Sequence, residues 1–385
     1  MKRKLAAVLC AAAVAVSAAG CSGGSIYSNY RDIGQLLIIQ TMGIDADDGA
    51  VTLSVSAEGS SGAGVGEEGA SASPVRLSAR APSLTSAQDA LQGYSDGRQL
   101  FFGHTSYIVL GESVLDSGVG EFFDCIERDA AFRLSIPVFA VAEGDAQTLV
   151  IGSGGSQHDA TRLLRAVSEN LRLQGSATVY TASQIISQLD RSGCALICAL
   201  SGAPAPDADP DAQEGELAAL PDGYVIIKDG SAAGRIPQEL AGTVSIVKNE
   251  TGSLPIDIEN TTVQLDRTVC SAQPVFDGDR LTGININVEL SAALAEAKGD
   301  FSPEEISSAL AKLVKERIEA LLELETSTGC DFMQLGGALE LRHPERLRGL
   351  TRGFAELMPE LKFNVSVSAR LDRSFHLDLG EGGVR

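Results

Sequence analysis

Apolar and polar positions along the chain alternate in some stretches and recur at helical spacing in others, which predicts both strands and helices. Residues 51–56 and 284–290 alternate with a period of two, as strands with one buried face do. Residues 100–110 and 134–141 are rich in β-branched and aromatic residues and are also predicted strands. Short apolar runs at 224–227 and 243–247 add two further strand predictions.

Local signals also predict helices and a turn in the first half. Thr85 and Gln88 have capping-box spacing and predict a helix that runs through Leu91. Residues 116–126 are predicted to form another helix. Residues 45–49 combine three aspartates with a glycine, and this composition favours a turn into the following strand over a metal site.

The last third has the strongest local signals. Ser302, Pro303 and Glu305 predict the start of a long helix, because they supply a cap, a first-turn proline and a capping-box partner. A second helix is predicted at 343–357 and a final alternating strand at 363–371. This order predicts a module in which two helices cover one face of an antiparallel sheet.

The combined pattern predicts the α/β (mixed α+β) class with several domains and mixed sheets in the amino-terminal part. The predicted boundaries are a signal peptide at 1–20, a tether at 21–30, an amino-terminal region at 31–200, a linker at 201–220 and a carboxyl-terminal domain at 221–385. The linker is predicted because its prolines and carboxylates cannot bury enough apolar surface to fold. The amino-terminal region is compatible with one or two subdomains.

The first twenty residues have the features of a bacterial export signal. Lys2, Arg3 and Lys4 form a basic start, and the apolar run at 5–16 is shorter than the roughly 20 residues that span a bilayer. The small residues before Cys21 resemble a bacterial lipobox, in which the cysteine thiol carries the lipid. We therefore expect Cys21 to be the lipid-attachment residue, with export without a lipid as the alternative.

The charge balance is strongly acidic, with a formal net charge of −21. This balance argues against a nucleic-acid partner and against attachment to anionic lipid by charge. A covalent lipid is therefore the expected means of membrane attachment, and a diacylglycerol-modified cysteine supplies the two acyl chains that stable anchoring needs.

The sequence contains no recognisable catalytic motif. Residues 64–69 have the glycine spacing of a dinucleotide loop, but no helix is predicted to follow them. Asp207, Asp209 and Asp211 begin as a calcium loop begins, yet alanines replace its glycine and its closing glutamate. We therefore predict no catalytic residue, no cofactor and no metal site.

Cysteines and histidines are scattered. Five cysteines lie outside the signal and the lipid site: Cys125, Cys194, Cys198, Cys270 and Cys330. Their odd number and irregular spacing argue against a disulfide framework. Cys194 and Cys198 lie in an apolar run and are predicted to be buried free thiols. His104 follows Gly103 in a predicted apolar strand, where a hydrogen-bonded core position is favoured over a metal ligand.

Four groups of residues occur in order along the chain: 30–33 with 38–45, Gln99-Leu100-Phe101-Phe102-Gly103-His104 with 108–112, 128–134, and 357–359 before 363–367. Together with the lipobox, they resemble the Ger(x)C family, the C subunits of spore germinant receptors. This family commonly has a tryptophan very soon after the lipid cysteine. Here the nearest equivalent is Tyr30, nine residues after Cys21. The tether is therefore expected to be longer than in relatives.

The resemblance implies a multi-domain lipoprotein with acyl chains such as palmitate, on the outer face of the spore inner membrane. It implies integral-membrane receptor subunits as partners, no enzymatic activity and no cofactor. It leaves open whether the protein contacts a small-molecule germinant. Arg31, Asp32, Gly103, His104 and Arg133 lie in the matching groups and are candidates either for a partner contact or for organising the fold.

Two other function classes fit a lipid-anchored acidic protein. A solute-binding lipoprotein, or another envelope-assembly lipoprotein, is the main alternative, and solute binding predicts a deep cleft between two similar lobes. A cell-envelope hydrolase predicts carboxylates or a Cys–His pair that converge in a cleft. The shape of a cleft, and the carboxylates, cysteines and histidines that line it, distinguish these classes.

Overall fold

The computed structural model describes residues 33–57, 74–152, 159–204, 217–297 and 302–373. The predicted signal peptide and the predicted tether with Cys21 lie outside these ranges. So do Arg31, Asp32, the glycine-rich segment 64–69 and the linker aspartates Asp207, Asp209 and Asp211.

The described residues form helices α1 to α10 and strands β1 to β13. The helices are α1 (Leu84–Gln92), α2 (Glu112–Ser117), α3 (Gly120–Arg128), α4 (Ala146–Gly152), α5 (Ala160–Gln174), α6 (Ala182–Ser192), α7 (Gln238–Lys248), α8 (Pro303–Thr328), α9 (Leu335–Arg342) and α10 (Leu350–Leu357). The strands are β1 (Leu36–Asp47), β2 (Ala50–Ala57), β3 (Val75–Ala81), β4 (Gln99–Phe101), β5 (Tyr107–Leu110), β6 (Val138–Val141), β7 (Cys194–Pro204), β8 (Leu217–Lys228), β9 (Ser231–Ile236), β10 (Leu254–Ile258), β11 (Thr261–Asp277), β12 (Arg280–Ala297) and β13 (Lys362–Arg373). Among these helices, none has both the length and the apolar composition needed to cross a bilayer.

A mixed sheet dominates the first part of the molecule, in the order β3-β2-β1-β5-β6-β7-β8-β9 with β4 beside β1. Strands β1, β4, β5, β6 and β7 run parallel, whereas β2, β3, β8 and β9 run antiparallel to their neighbours. Every residue of β5 and β6 is buried, as expected of central parallel strands. The parallel strands therefore share one end of the sheet, which we call the amino end because they begin there.

The hairpin turn between β1 and β2 is confirmed, and a buried carboxylate lies beside it. Asp48 and Gly49 both have positive φ, as a tight hairpin turn requires. Asp45 is 8% exposed and accepts hydrogen bonds from the N–H groups of Ala146 at 2.7 Å and Gln147 at 2.9 Å. Asp45 thus caps α4 and ties it to the end of β1.

The second sheet has four strands in the order β10-β11-β12-β13. The prediction of an antiparallel sheet is wrong for the last strand, because β13 pairs parallel with β12, with Gly283 opposite Lys362. The connection through α8, α9 and α10 is long enough for a crossover that returns the chain in the same direction. Helix α8 packs along β13, whereas α9 contacts β11 and α10 packs against α6 of the first part. The mixed α+β class is confirmed, although only α8 follows the predicted covering role on β13.

The long helix predicted from Ser302 is confirmed as α8. The Ser302 hydroxyl accepts a hydrogen bond from the Glu305 N–H at 3.5 Å, and Pro303 occupies the first turn. One face is buried, and it includes Ile306, Leu310, Val314, Ile318 and Leu321.

The strand predicted at 243–247 is wrong, since these residues lie in α7. Every residue from 241 to 247 is buried, so this stretch shows no alternation between an apolar and a polar helix face. Its ends do carry helix signals: Pro237 precedes the first turn, and Asn249 ends the helix in the left-handed conformation.

Several other predicted elements have different bounds. The strand at 100–110 is divided into β4 and β5 by a turn at 102–106. Helix α1 is capped by Ser83, whose hydroxyl accepts a hydrogen bond from the Ser86 N–H at 3.2 Å, so the capping box predicted at Thr85 is wrong.

Two helices and one strand differ in extent from the predictions. The helix at 116–126 is divided between α2 and α3, and only the end of 134–141 forms β6. The helix at 343–357 is replaced by a turn region followed by α10, because the His343–Pro344 pair follows the end of α9 instead of starting a helix.

The segment around the predicted linker contributes to the first sheet. Residues 201–204 extend β7 and residues 217–220 begin β8, with Ser201 opposite Leu220. Strands β8 and β9 thereby form the far edge of this sheet.

The five cysteines outside the signal and the lipid site are free. Cys194 and Cys198 are buried, as predicted, and so are Cys270 and Cys330, whereas Cys125 is half-buried. Burial raises the pKa of the Cys198 thiol to about 12 and that of the Cys270 thiol to about 11. These thiols are therefore protonated near neutral pH and poorly suited to nucleophilic chemistry.

Candidate functional site

Gly103 and His104 lie in a turn at the amino end of the first sheet, and the prediction that His104 occupies a buried strand is wrong. The turn is closed by the Thr105 N–H and hydroxyl, which both donate to the Phe102 carbonyl, at 3.0 and 2.8 Å. Ser106 N–H then donates to the Gln40 carbonyl of β1 at 2.7 Å. The imidazole of His104 is exposed and lies 5.5 Å from the Phe101 ring, measured between ring centroids.

Gly103 permits a close approach by the Phe101 ring. A Cβ atom at this position would lie 2.8 Å from Cζ of Phe101, which is closer than side chains allow. The absence of a Cβ atom at Gly103 therefore lets an aromatic ring lie against this turn.

Arg133 lies at the same end of the sheet. It follows Phe132, whose buried ring is 5.4 Å from that of Phe102, and its own side chain is exposed. The fold thus places Gly103, His104 and Arg133 at the same end of the sheet. The positions of Arg31 and Asp32 are not described.

Three exposed apolar side chains lie in segments at the same end of the sheet. Ile33 is 74% exposed, Tyr94 is 65% exposed and Phe101 is 37% exposed. Ile33 begins a short 3-10 helix (Ile33–Gln35) that leads into β1, and the register of β1 with β4 places Ile38 opposite Phe101. We call Ile33, Tyr94, Phe101, His104 and Arg133 the amino-end surface.

Tyr94 is held at this surface by the end of α1. The Gln92 side chain donates to the Arg98 carbonyl at 2.7 Å and accepts from the Leu100 N–H at 3.0 Å. These two bonds join the end of α1 to the start of β4, and the exposed Tyr94 lies in the intervening turn. Sequence reasoning missed Ile33 and Tyr94; the alternation in 100–102, with Leu100 and Phe102 buried, was the available signal for an exposed Phe101.

A second candidate site is a cleft of about 960 Å³ between the ends of α6 and α7, strand β11 and the segment from 331 to 351. Charged groups of both signs line it: Asp190, Arg191, Lys248, Glu250, Asp331, Glu340 and Arg342. Its walls come from dissimilar parts of the fold. The two similar lobes that a solute-binding protein would show are absent from the walls of this cleft.

Lys248 forms the buried centre of one wall. Its ammonium donates to the Tyr180 hydroxyl at 2.7 Å and lies 3.6 Å from Oε1 of Glu250. The Tyr180 hydroxyl in turn donates to Oε2 of Glu250 at 2.8 Å. Burial lowers the pKa of Lys248, and the Glu250 carboxylate opposes that shift. The three side chains therefore form a closed network that joins α7 to the loop before α6.

Two buried carboxyl groups organise the opposite wall. Both oxygens of Asp331 accept backbone hydrogen bonds, from Leu335 at 2.7 Å and Gly336 at 2.9 Å, and cap α9. Oε1 of the fully buried Glu325 accepts from the Met333 N–H at 2.6 Å. Burial raises the pKa of Asp331 to about 6 and raises that of Glu325 well above its ordinary value.

These carboxyl groups serve the backbone and do not offer a reacting pair to the cleft. The hydrolase alternative predicted convergent carboxylates, but Asp331 is committed to the helix cap and Glu325 is out of reach of solvent. Over the described part of the chain, no group of three histidine, cysteine or acidic side chains is arranged to hold a metal ion.

Comparisons with known proteins agree with this fold. Residues 29–201 match the family described as "Spore germination protein N-terminal domain", and residues 222–374 match "Spore germination B3/ GerAC like, C-terminal". A solved structure described as "Crystal Structure of the GerBC protein" matches with a TM-score of 0.51 and 17% identity, covering 86% of this chain and 97% of that chain. At this identity the structural likeness shows the fold alone. No curated protein matches this chain. The two family matches, consecutive and together spanning most of the chain, establish that it belongs to the GerAC-like family of spore germination proteins.

Proposed function

We propose that this protein is the lipid-anchored C subunit of a spore nutrient germinant receptor. The observation that carries the proposal is the order of the two family matches, with the amino-terminal germination domain at 29–201 followed by the GerAC-like domain at 222–374. Both domains of this architecture are present, so the proposal concerns the whole folded chain.

Anchoring through Cys21 is supported by the lipobox and by the charge of the chain. A net charge of −21 gives no electrostatic attraction to anionic headgroups, whereas two acyl chains supply a large apolar contribution. The proposed location is the outer face of the spore inner membrane, and the proposed partners are integral-membrane receptor subunits.

We propose that this subunit has no enzymatic activity. Three observations on the described residues support this view. The buried carboxyl groups cap backbone, the buried thiols of Cys198 and Cys270 have raised pKa values, and the Lys248 network is closed on itself. Binding and assembly are therefore the roles that the fold favours.

We expect the lipidated protein to co-purify with integral-membrane subunits. The test is to isolate the full chain, with an affinity tag at its carboxyl end, from detergent-solubilised spore membranes. Multi-span proteins encoded beside its gene should be enriched relative to an untagged control and to the Cys21→Ala variant. Recovery with transporter components instead would support the solute-binding alternative and contradict the receptor assignment.

A further inference from the structure

We propose that the amino-end surface rests on the lipid–water interface of the membrane, so that the protein docks with a defined orientation beyond its lipid tether. This proposal deepens the proposed function and rests on its lipid anchor.

The side chains of this surface have the chemistry of interfacial contacts. Tyr94 and Phe101 are aromatic, Ile33 is aliphatic, and all three are exposed at one end of the sheet. Single exposed apolar residues are common, but these three lie in segments that lead into β1, β4 and β5 from the same end of the sheet, the end at which the lipid-bearing segment joins the fold. Aromatic rings are favoured at the headgroup level, where an apolar body meets water at its edge.

The tether brings this end of the molecule toward the bilayer. Ile33 is the first described residue, and it lies twelve positions after Cys21 in the sequence. Twelve residues span at most about 40 Å when fully extended. Because the tether enters the fold at Ile33, the amino-end surface is attached directly to the lipid-bearing segment.

Charge at this surface is mixed. His104 and Arg133 can contact headgroup phosphates, while the exposed Asp96 in the turn before β4 repels them. The apolar side chains are therefore expected to supply the contact, and a zwitterionic bilayer is the appropriate surface. This choice also agrees with the net charge of −21, which disfavours anionic lipid.

The chain contains no tryptophan, so a single introduced indole reports its own depth. The test uses Tyr94→Trp and Phe101→Trp in the lipidated full chain, reconstituted into phosphatidylcholine vesicles with and without brominated acyl chains. Leu220→Trp is the matched control, because Leu220 is 45% exposed and pairs with Ser201 at the opposite, carboxyl end of the sheet.

We expect bromine quenching of Tyr94→Trp to exceed that of Leu220→Trp by at least about twofold, with a blue-shifted emission, because an interfacial indole is partly desolvated. Phe101→Trp should show the same quenching and emission shift. If the larger ring at position 101 disturbs the turn at Gly103, Tyr94→Trp alone still tests the contact. Equal quenching of all three vesicle-bound variants would overturn the proposed contact and leave the lipid anchor intact. Failure of every variant to bind vesicles would instead overturn the anchor, and the contact with it.

Discussion

Replacing Cys21 by alanine should release the protein from the membrane. The thiol is the proposed attachment atom for the lipid, and each buried methylene contributes roughly 0.8 kcal/mol of membrane affinity. Without acyl chains, the folded chain would retain only the proposed interfacial contact of its amino end. We expect lipid labelling to disappear and the membrane-bound fraction to fall by at least about tenfold.

The matched control is Cys125→Ala, since Cys125 is a half-buried free thiol in the folded part of the chain. This variant should keep its lipid label and its membrane association. Metabolic labelling with a tagged fatty acid, followed by membrane fractionation, measures both properties. A lipid label retained by Cys21→Ala would refute the assignment of the anchor.

Replacing Glu325 by alanine should be among the most destabilising single changes at the cleft. The variant leaves the buried Met333 N–H without its 2.6 Å acceptor and opens a cavity beneath the segment that leads into α9. An unsatisfied buried donor and a truncated core side chain together cost about 3–5 kcal/mol. Urea denaturation should show that loss in the free energy of unfolding, with little change in slope.

Glu325→Gln is the informative companion, because it keeps the acceptor and removes the ionisable group. Burial raises the pKa of Glu325, so the folded state keeps a proton that the unfolded state releases. The resulting stability is fully present below the unfolded pKa, near 4.5, and is lost as the pH rises toward the folded pKa.

The wild type should therefore lose stability with rising pH more steeply than Glu325→Gln, by up to about 1 kcal/mol per pH unit. Unfolding measured at several values between pH 5 and 8 checks this difference. Parallel pH profiles for the two proteins would show that Glu325 does not hold a proton in the fold.

Local signals in the sequence predict the parts of the fold that local interactions determine. The start of α8 follows from Ser302 and Pro303, and the hairpin between β1 and β2 follows from the turn residues Asp48 and Gly49. These features depend on backbone capping and turn geometry, which neighbouring residues specify.

Tertiary burial accounts for the failures. Helix α7 has no polar face in its central part, so residues 243–247 look like a strand until their packing is known. The parallel pairing of β13 with β12 depends on where the crossover through α8 returns the chain, and the alternation at 363–371 is the same for either direction.

The candidate sites were predicted only in part for the same reason. The family resemblance identifies Gly103, His104 and Arg133, but their location at the same end of the sheet follows from the turn after β4 and the packing of Phe132 on Phe102. The cleft combines Lys248 and Asp331 from distant segments, and Lys248 bonds in turn to Tyr180, but no spacing within the chain reveals these relations.

The receptor assignment is tested most directly by nutrient-triggered germination of spores that lack this gene. Spores of the deletion strain, of the strain restored with the wild-type gene and of the strain restored with Cys21→Ala are exposed to a panel of nutrients. We expect the deletion to lose or strongly reduce germination with at least one nutrient, and the wild-type copy to restore it. Unchanged germination of the deletion strain with every nutrient would contradict the assignment of this protein as a germinant-receptor subunit.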